Sequence, residues 1–436
     1  MSRGAVEYVV TPGGPLRGTL AVPGDKSVSH RAVMLGAIAE GETRIQGFLD
    51  GEDTNATVAA FRELGVGIER PSATEVVVHG VGLRGLRAPK RPLDLGNSGT
   101  STRLLAGILC GQEFESTLIG DASLSKRPMK RVTEPLERMG ARIECTPAGT
   151  LPMRIRGGSK LRGIDYTLPV ASAQLKSALL LAGLYAEGRT CVTEPAITRD
   201  HTERMLGWFG CPVEAADRRI CIEGRPLRAR AVQVPGDISS AAFFMVAASI
   251  VPGSELTLTG VGINPTRSAV IDILNAMGAE LEIGDPREVA GEPVADIRVR
   301  QRPLRGVRIP AALVPVAIDE FPAILVAAAF AEGETVLTDA AELRVKESDR
   351  IQSMAEGLTA LGIRNETRPD GITVTGGAPS GGAVESHGDH RIAMAFAVAG
   401  VAASGPVRVR DCANVDTSFP GFPAALQAAG GRIETA

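Results

Sequence analysis

The chain has 436 residues, 44% hydrophobic and 3% aromatic, with a formal charge of −3. It is long enough for two or more sizeable cores, and it lacks the basic face and stacking rings of a nucleic-acid-binding surface, so no nucleic-acid partner is expected. Its six cysteines include no C-x-x-C, which argues against a zinc knuckle or a disulfide framework and makes a reducing cytoplasm the expected compartment. The start of the chain has no basic segment followed by an apolar run, and the longest apolar stretches, 241–251 and 324–331, fall short of the ~20 residues of a membrane span, so no membrane partner is expected either.

Taken in order, the chain repeats one plan. A strand near Leu16 to Val22 leads into the turn Val22-Pro23-Gly24-Asp25-Lys26-Ser27 and an alanine-rich helix. An amphipathic helix then ends as FRELGVGIE, closing on a glycine with a β-like tail, and a strand follows at Glu75 to Val81. The plan returns with LDLGNSGTSTRLLA from Leu93, LERMGARIE and the strand Met153 to Arg156, and again with LPVASAQLKSALLL from Leu168, WFGCPVE and Ile220 to Glu223. A strand near Ala231 to Val234 precedes Val234-Pro235-Gly236-Asp237-Ile238-Ser239, an echo of the first turn, and LNAMGAELE follows it. The last copies are AIDEFPAILVAAAF from Ala317 with LTALGIRNE, and SHGDHRIAMAFAVAG from Ser386 with LQAAGGRIE.

A period of about 70 residues is too long for a solenoid, so the copies form two globular halves of three. Alternating helices and strands give an α/β (α+β) class, and the hairpin-like strand pairs argue against an all-parallel sheet. If the two Pro-Gly turns are paired crossings, residues 25–236 form one domain and residues 1–24 with 237–436 the other, with the active site in the cleft between them. Runs such as AILVAAAFA are apolar all round and belong in the centre of a domain.

Chemistry-bearing residues collect in the turn before each central helix. A helix amino end presents unpaired N–H groups and a partial positive charge, so several of them make an anion site. Asp, Ser and Asn there also serve as plain N-caps. Capping does not ask for Lys26, Gln174 or Arg391, and Ile238 in place of Lys26 marks the fourth copy as structural. Lys26, Ser27 and Arg31 lie near one helical face and suit a phosphate or carboxylate. Gly99, in GNSGTSTR, lets an anion approach the backbone. SKRPMKR (125–131) is either a surface basic loop or an anion-gripping one. In RVKESDR (344–350), Lys346, Glu347 and Arg350 can share a helix edge, as an exposed ion-paired helix would also arrange them. With Asp319 in IDEFP, Glu347 makes a candidate carboxylate pair for proton transfer. His201 and His390 show no metal-ligand spacing, and neither metal nor cofactor is expected.

In order, PGDKSVSHRA, LDLGNSGTSTR, SKRPMKR, VASAQLKSA, RDHTERM, AIDEFP, ELRVKESDR, GDHRIAMAF and TSFPGF closely resemble the 5-enolpyruvylshikimate-3-phosphate synthase family (3-phosphoshikimate 1-carboxyvinyltransferases), in its bacterial branch with SAQ-x-KSA. The resemblance implies the enolpyruvyl transferase fold, two domains of three βαβαββ-type units with buried central helices. It also implies transfer of the enolpyruvyl group of phosphoenolpyruvate to the 5-hydroxyl of shikimate 3-phosphate, the sixth step of the shikimate pathway, in a cytoplasmic monomer. Carried over by motif, Lys26, Ser27, Arg31, Ser172, Gln174, Arg199, Asp319 and Lys346 would bind shikimate 3-phosphate, and Lys26, Gly99, Arg127, Gln174, Arg350 and Arg391 phosphoenolpyruvate. Lys26, Asp319 and Glu347 would be catalytic, Asp319 accepting the 5-hydroxyl proton and Glu347 protonating the methylene. Lys346 and Arg350 beside Glu347 favour its charged form, which works against an acid role. Thr417 stands where some members carry a lysine. Two rivals stay open: the sister enolpyruvyl transferase acting on UDP-N-acetylglucosamine, whose loop typically carries a cysteine that residues 124–131 lack, and a non-catalytic repeat scaffold.

Overall fold

The computed structural model describes residues 6–436; the expectation for residues 1–5 lies outside the described residues. The chain divides into two compact units. The first combines the described residues up to Pro23 with Gly236–Arg287 and Pro293–Ala436, and the second comprises Gly24–Pro235 with Glu288–Glu292.

Each unit is built round three central helices. In the second unit these are Lys26–Ile38, Gly99–Leu109 and Ala173–Gly183; in the first, Ile238–Ile250, Phe321–Ala329 and His390–Ala402. Five of the six start on a side-chain cap, with Asp25, Ser98, Ser172, Asp237 and Asp389 each accepting a hydrogen bond from a first-turn N–H. The capping residues that interrupt the apolar pattern in the sequence therefore set where each helix begins. Ile238–Ile250 and Phe321–Ala329 are buried at every position, as their all-round apolar composition requires. Gly107 lets two of these helices touch at the backbone, since a Cβ there would lie 2.2 Å from the Ala178 carbonyl oxygen.

Outer helices Glu52–Glu63, Lys130–Arg138 and His201–Trp208 belong to the second unit, and Ala269–Ala276, Arg350–Ala360 and Phe422–Ala428 to the first. All six end the same way. Gly65, Gly140, Gly210, Gly278, Gly362 and Gly430 take φ between 79° and 107°, a region open chiefly to glycine. The next residue's N–H then returns to a carbonyl five positions back, as in Val66 to Phe61 and Cys211 to Leu206, at 2.8–3.1 Å in the six copies. This is the Schellman closure, and it explains the recurring glycine of the sequence pattern.

Each repeat adds one sheet, giving six sheets among the described residues, five of them mixed and one, of Glu334–Leu337, Gly371–Thr375 and Asn365–Arg368, paired antiparallel. Typically the strand before a central helix runs parallel to the strand after it, and a hairpin completes the sheet antiparallel, as with Leu93–Asp94, Ser116–Ile119, Met153–Arg156 and Arg142–Glu144. This is the βαβαββ order. At both Pro-Gly turns the strand is exchanged: Arg17–Ala21 pairs with Glu255–Gly262 in the first unit, while Leu227–Arg228 and Val232–Gln233 pair with Ala39–Gln46 in the second. The sixth sheet is completed by Tyr8–Thr11, which lies between Val407–Arg410 and Arg432–Thr435.

One expectation about the cysteines is corrected. Cys191 and Cys221 face each other in the register of antiparallel strands Arg189–Thr193 and Arg219–Glu223, with Cα atoms 4.1 Å apart, and form a disulfide. The pairing is a consequence of strand register, which spacing in the sequence does not reveal. Cys110, Cys145, Cys211 and Cys412 are free thiols. Among the described residues no helix is long and apolar enough to cross a membrane, and no group of three or more His, Cys, Asp and Glu is placed to hold a metal ion.

Candidate active site

The candidate residues fall into two clusters, one in each unit. In the second unit, Lys26 and Ser27 are the first two residues of their helix, behind the Asp25 cap, whose carboxylate accepts from Val28 N at 2.8 Å. Lys26 Nζ lies 3.3 Å from Asp53 Oδ2. Arg31, one turn on, is buried and donates to Thr202 Oγ1 (2.7 Å), the Ser27 carbonyl (2.9 Å) and Ser177 Oγ (2.9 Å). Burial pushes its guanidinium down to about 10, Glu203 and Asp25 opposing and nearby Arg199 adding to the fall, so it stays charged at neutral pH.

Gly99 opens the second central helix, and Ser172 caps the third, with Gln174 on its first turn. These two helix ends are tied together: Arg103 Nη1 donates to Gln174 Oε1 at 2.7 Å, and Gln174 Nε2 to Thr100 Oγ1 at 3.0 Å. Arg127 Nη2 donates to Asn97 Oδ1 at 2.6 Å. A Cβ built on Gly99 would lie 2.7 Å from Arg103 Nη1 and 3.2 Å from Arg127 Nη1, which measures how closely these cations press on the helix end. Arg199 lies just before the helix His201–Trp208. Asn97 stands with Gly99 among the chemistry-bearing turn residues, whereas Arg103 and Thr100 were not singled out; their signal was the polar run GNSGTSTR itself.

In the first unit the centre is Asp319, just ahead of the helix Phe321–Ala329. Its carboxylate has three cations within reach: Arg350 Nη1 at 3.4 Å, Lys346 Nζ at 3.8 Å and Arg391 Nη2 at 4.0 Å. Arg391 Nη1 also donates to the Asp319 carbonyl at 3.1 Å. Arg350 Nη2 donates to Glu347 Oε2 at 2.7 Å, so the two candidate proton-transfer carboxylates share one guanidinium.

The helical reading of 344–350 needs correction. Lys346 is extended beyond the short turn Ala341–Val345, and the helix begins only at Arg350, where Asp349 accepts from Gln352 N. A capping aspartate at the sixth position of the motif stops the helix from including Lys346 and Glu347. The Glu347–Arg350 contact, three residues apart, forms with Glu347 outside the helix.

Asp389 is the residue whose importance the sequence understated. It caps the helix His390–Ala402 through Arg391 N at 2.9 Å, accepts from Arg350 Nε at 2.8 Å and from Ser348 Oγ at 3.1 Å, and is fully buried. Burial works against its charge, but the Arg350 guanidinium outweighs this and holds its carboxyl below the usual aspartate range. For Arg350, burial likewise opposes the charge, while Asp389, Glu347 and Asp319 together hold the guanidinium well above its ordinary value.

The fourth central helix carries no such set. Its turn is filled from within by buried Arg267, which donates to Ser239 Oγ at 2.8 Å and lies 3.7 Å from Glu320 Oε1.

Comparison with known proteins decides the family. The family model described as EPSP synthase (3-phosphoshikimate 1-carboxyvinyltransferase) matches residues 10–426. The chain belongs to the EPSP synthase family. It is 65% identical over 419 residues to the 3-phosphoshikimate 1-carboxyvinyltransferase of Alkalilimnicola ehrlichii, covering 96% of this chain and 94% of the relative. It is 64% identical to that of Methylococcus capsulatus over 418 residues, 96% of each. Among solved structures, EPSP synthase from Acinetobacter baumannii superposes with a TM-score of 0.92 at 54% identity, covering 99% of this chain and all of that one.

Proposed function

We propose that the chain is a 3-phosphoshikimate 1-carboxyvinyltransferase, transferring the enolpyruvyl group of phosphoenolpyruvate to the 5-hydroxyl of shikimate 3-phosphate in the shikimate route to aromatic amino acids. What carries the residue roles is the Asp319 cluster. A carboxylate sits among three cations, and a second carboxylate, Glu347, sits on the same guanidinium. This is equipment for moving two protons next to anionic substrates.

Asp319 takes the 5-hydroxyl proton as that oxygen bonds to C2 of phosphoenolpyruvate, and Glu347 delivers a proton to C3, giving a tetrahedral intermediate. Loss of a C3 proton and of the phosphate on C2 then yields the enolpyruvyl ether and inorganic phosphate. Lys346, Arg350 and Arg391 hold substrate anions there. In the second unit Lys26, Ser27, Arg31, Ser172, Gln174 and Arg199 serve shikimate 3-phosphate, and Lys26, Gly99, Arg127 and Gln174 the donor. The helix amino ends add to the positive field in a chain of net charge −3. The Glu347–Arg350 contact favours the carboxylate over the acid, so proton delivery calls for this contact to loosen when substrate anions engage Arg350.

Ser172-Ala173-Gln174 assigns the chain to the bacterial branch with SAQ-x-KSA; it acts as a cytoplasmic monomer without nucleic-acid or membrane partners. Asp319→Asn and Glu347→Gln test the roles. Both variants fold as the parent does, and each loses on the order of 10²-fold or more in turnover. Near-normal turnover in either removes that residue from its role.

A further inference from the structure

We infer that Asp53 and Thr57, on the first outer helix, are positioning residues that fix Lys26 and the Gly99 helix end relative to each other. The inference rests on the proposed roles of Lys26 and Gly99 and names what holds them in place.

Asp53 and Thr57 stand four apart on Glu52–Glu63 and so share a face. That face meets both halves of the second unit's anion site. Asp53 Oδ2 takes Lys26 Nζ at 3.3 Å. One turn on, Thr57 Oγ1 lies 2.8 Å from His30 Nδ1 and 2.7 Å from Ser101 Oγ, which in turn lies 2.7 Å from Ser98 Oγ. Each end of this relay belongs to a site element. His30 is one helical turn beyond Lys26, while Ser98 and Ser101 flank Gly99, and Ser98 Oγ caps that helix through Ser101 N at 3.1 Å.

All four side chains of the relay are shielded from solvent, with Thr57 at 1% exposure and His30, Ser98 and Ser101 at 0%. Apolar residues of the same volume would fill this space at lower desolvation cost, whereas a hydrogen-bonded chain admits one relative placement of the three helices. The relay does not change with pH near neutrality. Burial, helped by Lys26 and Arg31, pushes the His30 imidazole down to about 3, so the ring is neutral. A shift of about 1 Å in a binding group costs up to ~10²-fold in rate, so the placement bears on function.

The test is steady-state phosphate release with both substrates varied. Thr57→Val removes the hydroxyl at constant shape and raises KM for phosphoenolpyruvate roughly tenfold, leaving KM for shikimate 3-phosphate near the parent value, because the Gly99 end loses its tie to the relay while Lys26 keeps its Asp53 contact. Thr57→Ser restores the parent value. Asp53→Asn raises both KM values, since Lys26 serves both substrates. Should Thr57→Val not fold, Ser101→Ala cuts the same relay. Unchanged KM values in folded Thr57→Val and Asp53→Asn overturn the inference, as does equal impairment in Thr57→Val and Thr57→Ser, which would mark a packing role. Lys26→Met and Gly99→Ala, run alongside, separate this failure from that of the underlying reading: parent KM values in both would overturn the assignment of Lys26 and Gly99 themselves.

Discussion

At Gly99, the proposed role rests on an absent side chain. Gly99→Ala places a methyl against the tips of Arg103 and Arg127, both far ends of flexible chains, so the fold is kept and the two guanidinium groups move aside. KM for phosphoenolpyruvate is expected to rise roughly tenfold, worth about 1.4 kcal/mol, with KM for shikimate 3-phosphate unchanged. Asp389 gives the opposite case, a residue whose charge holds others. Its removal leaves Arg350 buried beside fewer anions, and Asp389→Asn is expected to cost about 3 kcal/mol in urea unfolding at neutral pH. Because its folded carboxyl lies below the usual aspartate range, its stabilisation is full above the unfolded value and lost as pH falls through the folded one. Unfolding followed from pH 6 downward therefore shows an acid loss in the parent that is smaller in Asp389→Asn. Lys26, Arg31, Gln174 and Asp319 were legible because they stand in motifs next to helix starts. Asp389 was legible as a helix-start residue in GDHRIAMAF but not as the partner of Arg350, and Asp53 and Thr57 were not legible at all, because these contacts run 27 to 44 positions along the chain, where local spacing carries no signal.

Helix boundaries were read with most success where glycine or a capping side chain writes them locally. The outer helix His201–Trp208 allows a direct test of that reading. Gly207 lies within it at an ordinary helical conformation with open space at its Cβ, whereas Gly210 closes it at φ 93°, also with open space. Gly207→Ala is expected to stabilise the protein by about 0.5–1 kcal/mol and Gly210→Ala to destabilise it by about 1 kcal/mol or more, in the same urea assay. Equal effects would show that the left-handed closure does not set the helix end. The motif 344–350 shows the limit of periodicity: Lys346, Glu347 and Arg350 have helical spacing, but Asp349 caps a helix that starts at Arg350, after Lys346 and Glu347. The sequence pattern places the charges together correctly and misjudges the backbone that does it.

Over the whole molecule, six copies of one unit were visible in the sequence because each copy repeats its own local signals. The two Pro-Gly turns could be read as crossings, but the strand pairings there, the completion of the sixth sheet by Tyr8–Thr11, and the Cys191–Cys221 disulfide were not visible, since each depends on which strand lies beside which. The two units hold different sets of candidate residues. One gathers helix amino ends with Lys26, Gly99 and Gln174; the other surrounds Asp319 with cations and sets Glu347 on Arg350. The central claim is that both sets serve one acceptor and one donor. It is tested most directly by phosphate release from phosphoenolpyruvate, measured in parallel with shikimate 3-phosphate and with UDP-N-acetylglucosamine as acceptor. Release with shikimate 3-phosphate alone is the predicted result; release with the sugar nucleotide alone, or from neither in a folded sample, would contradict it.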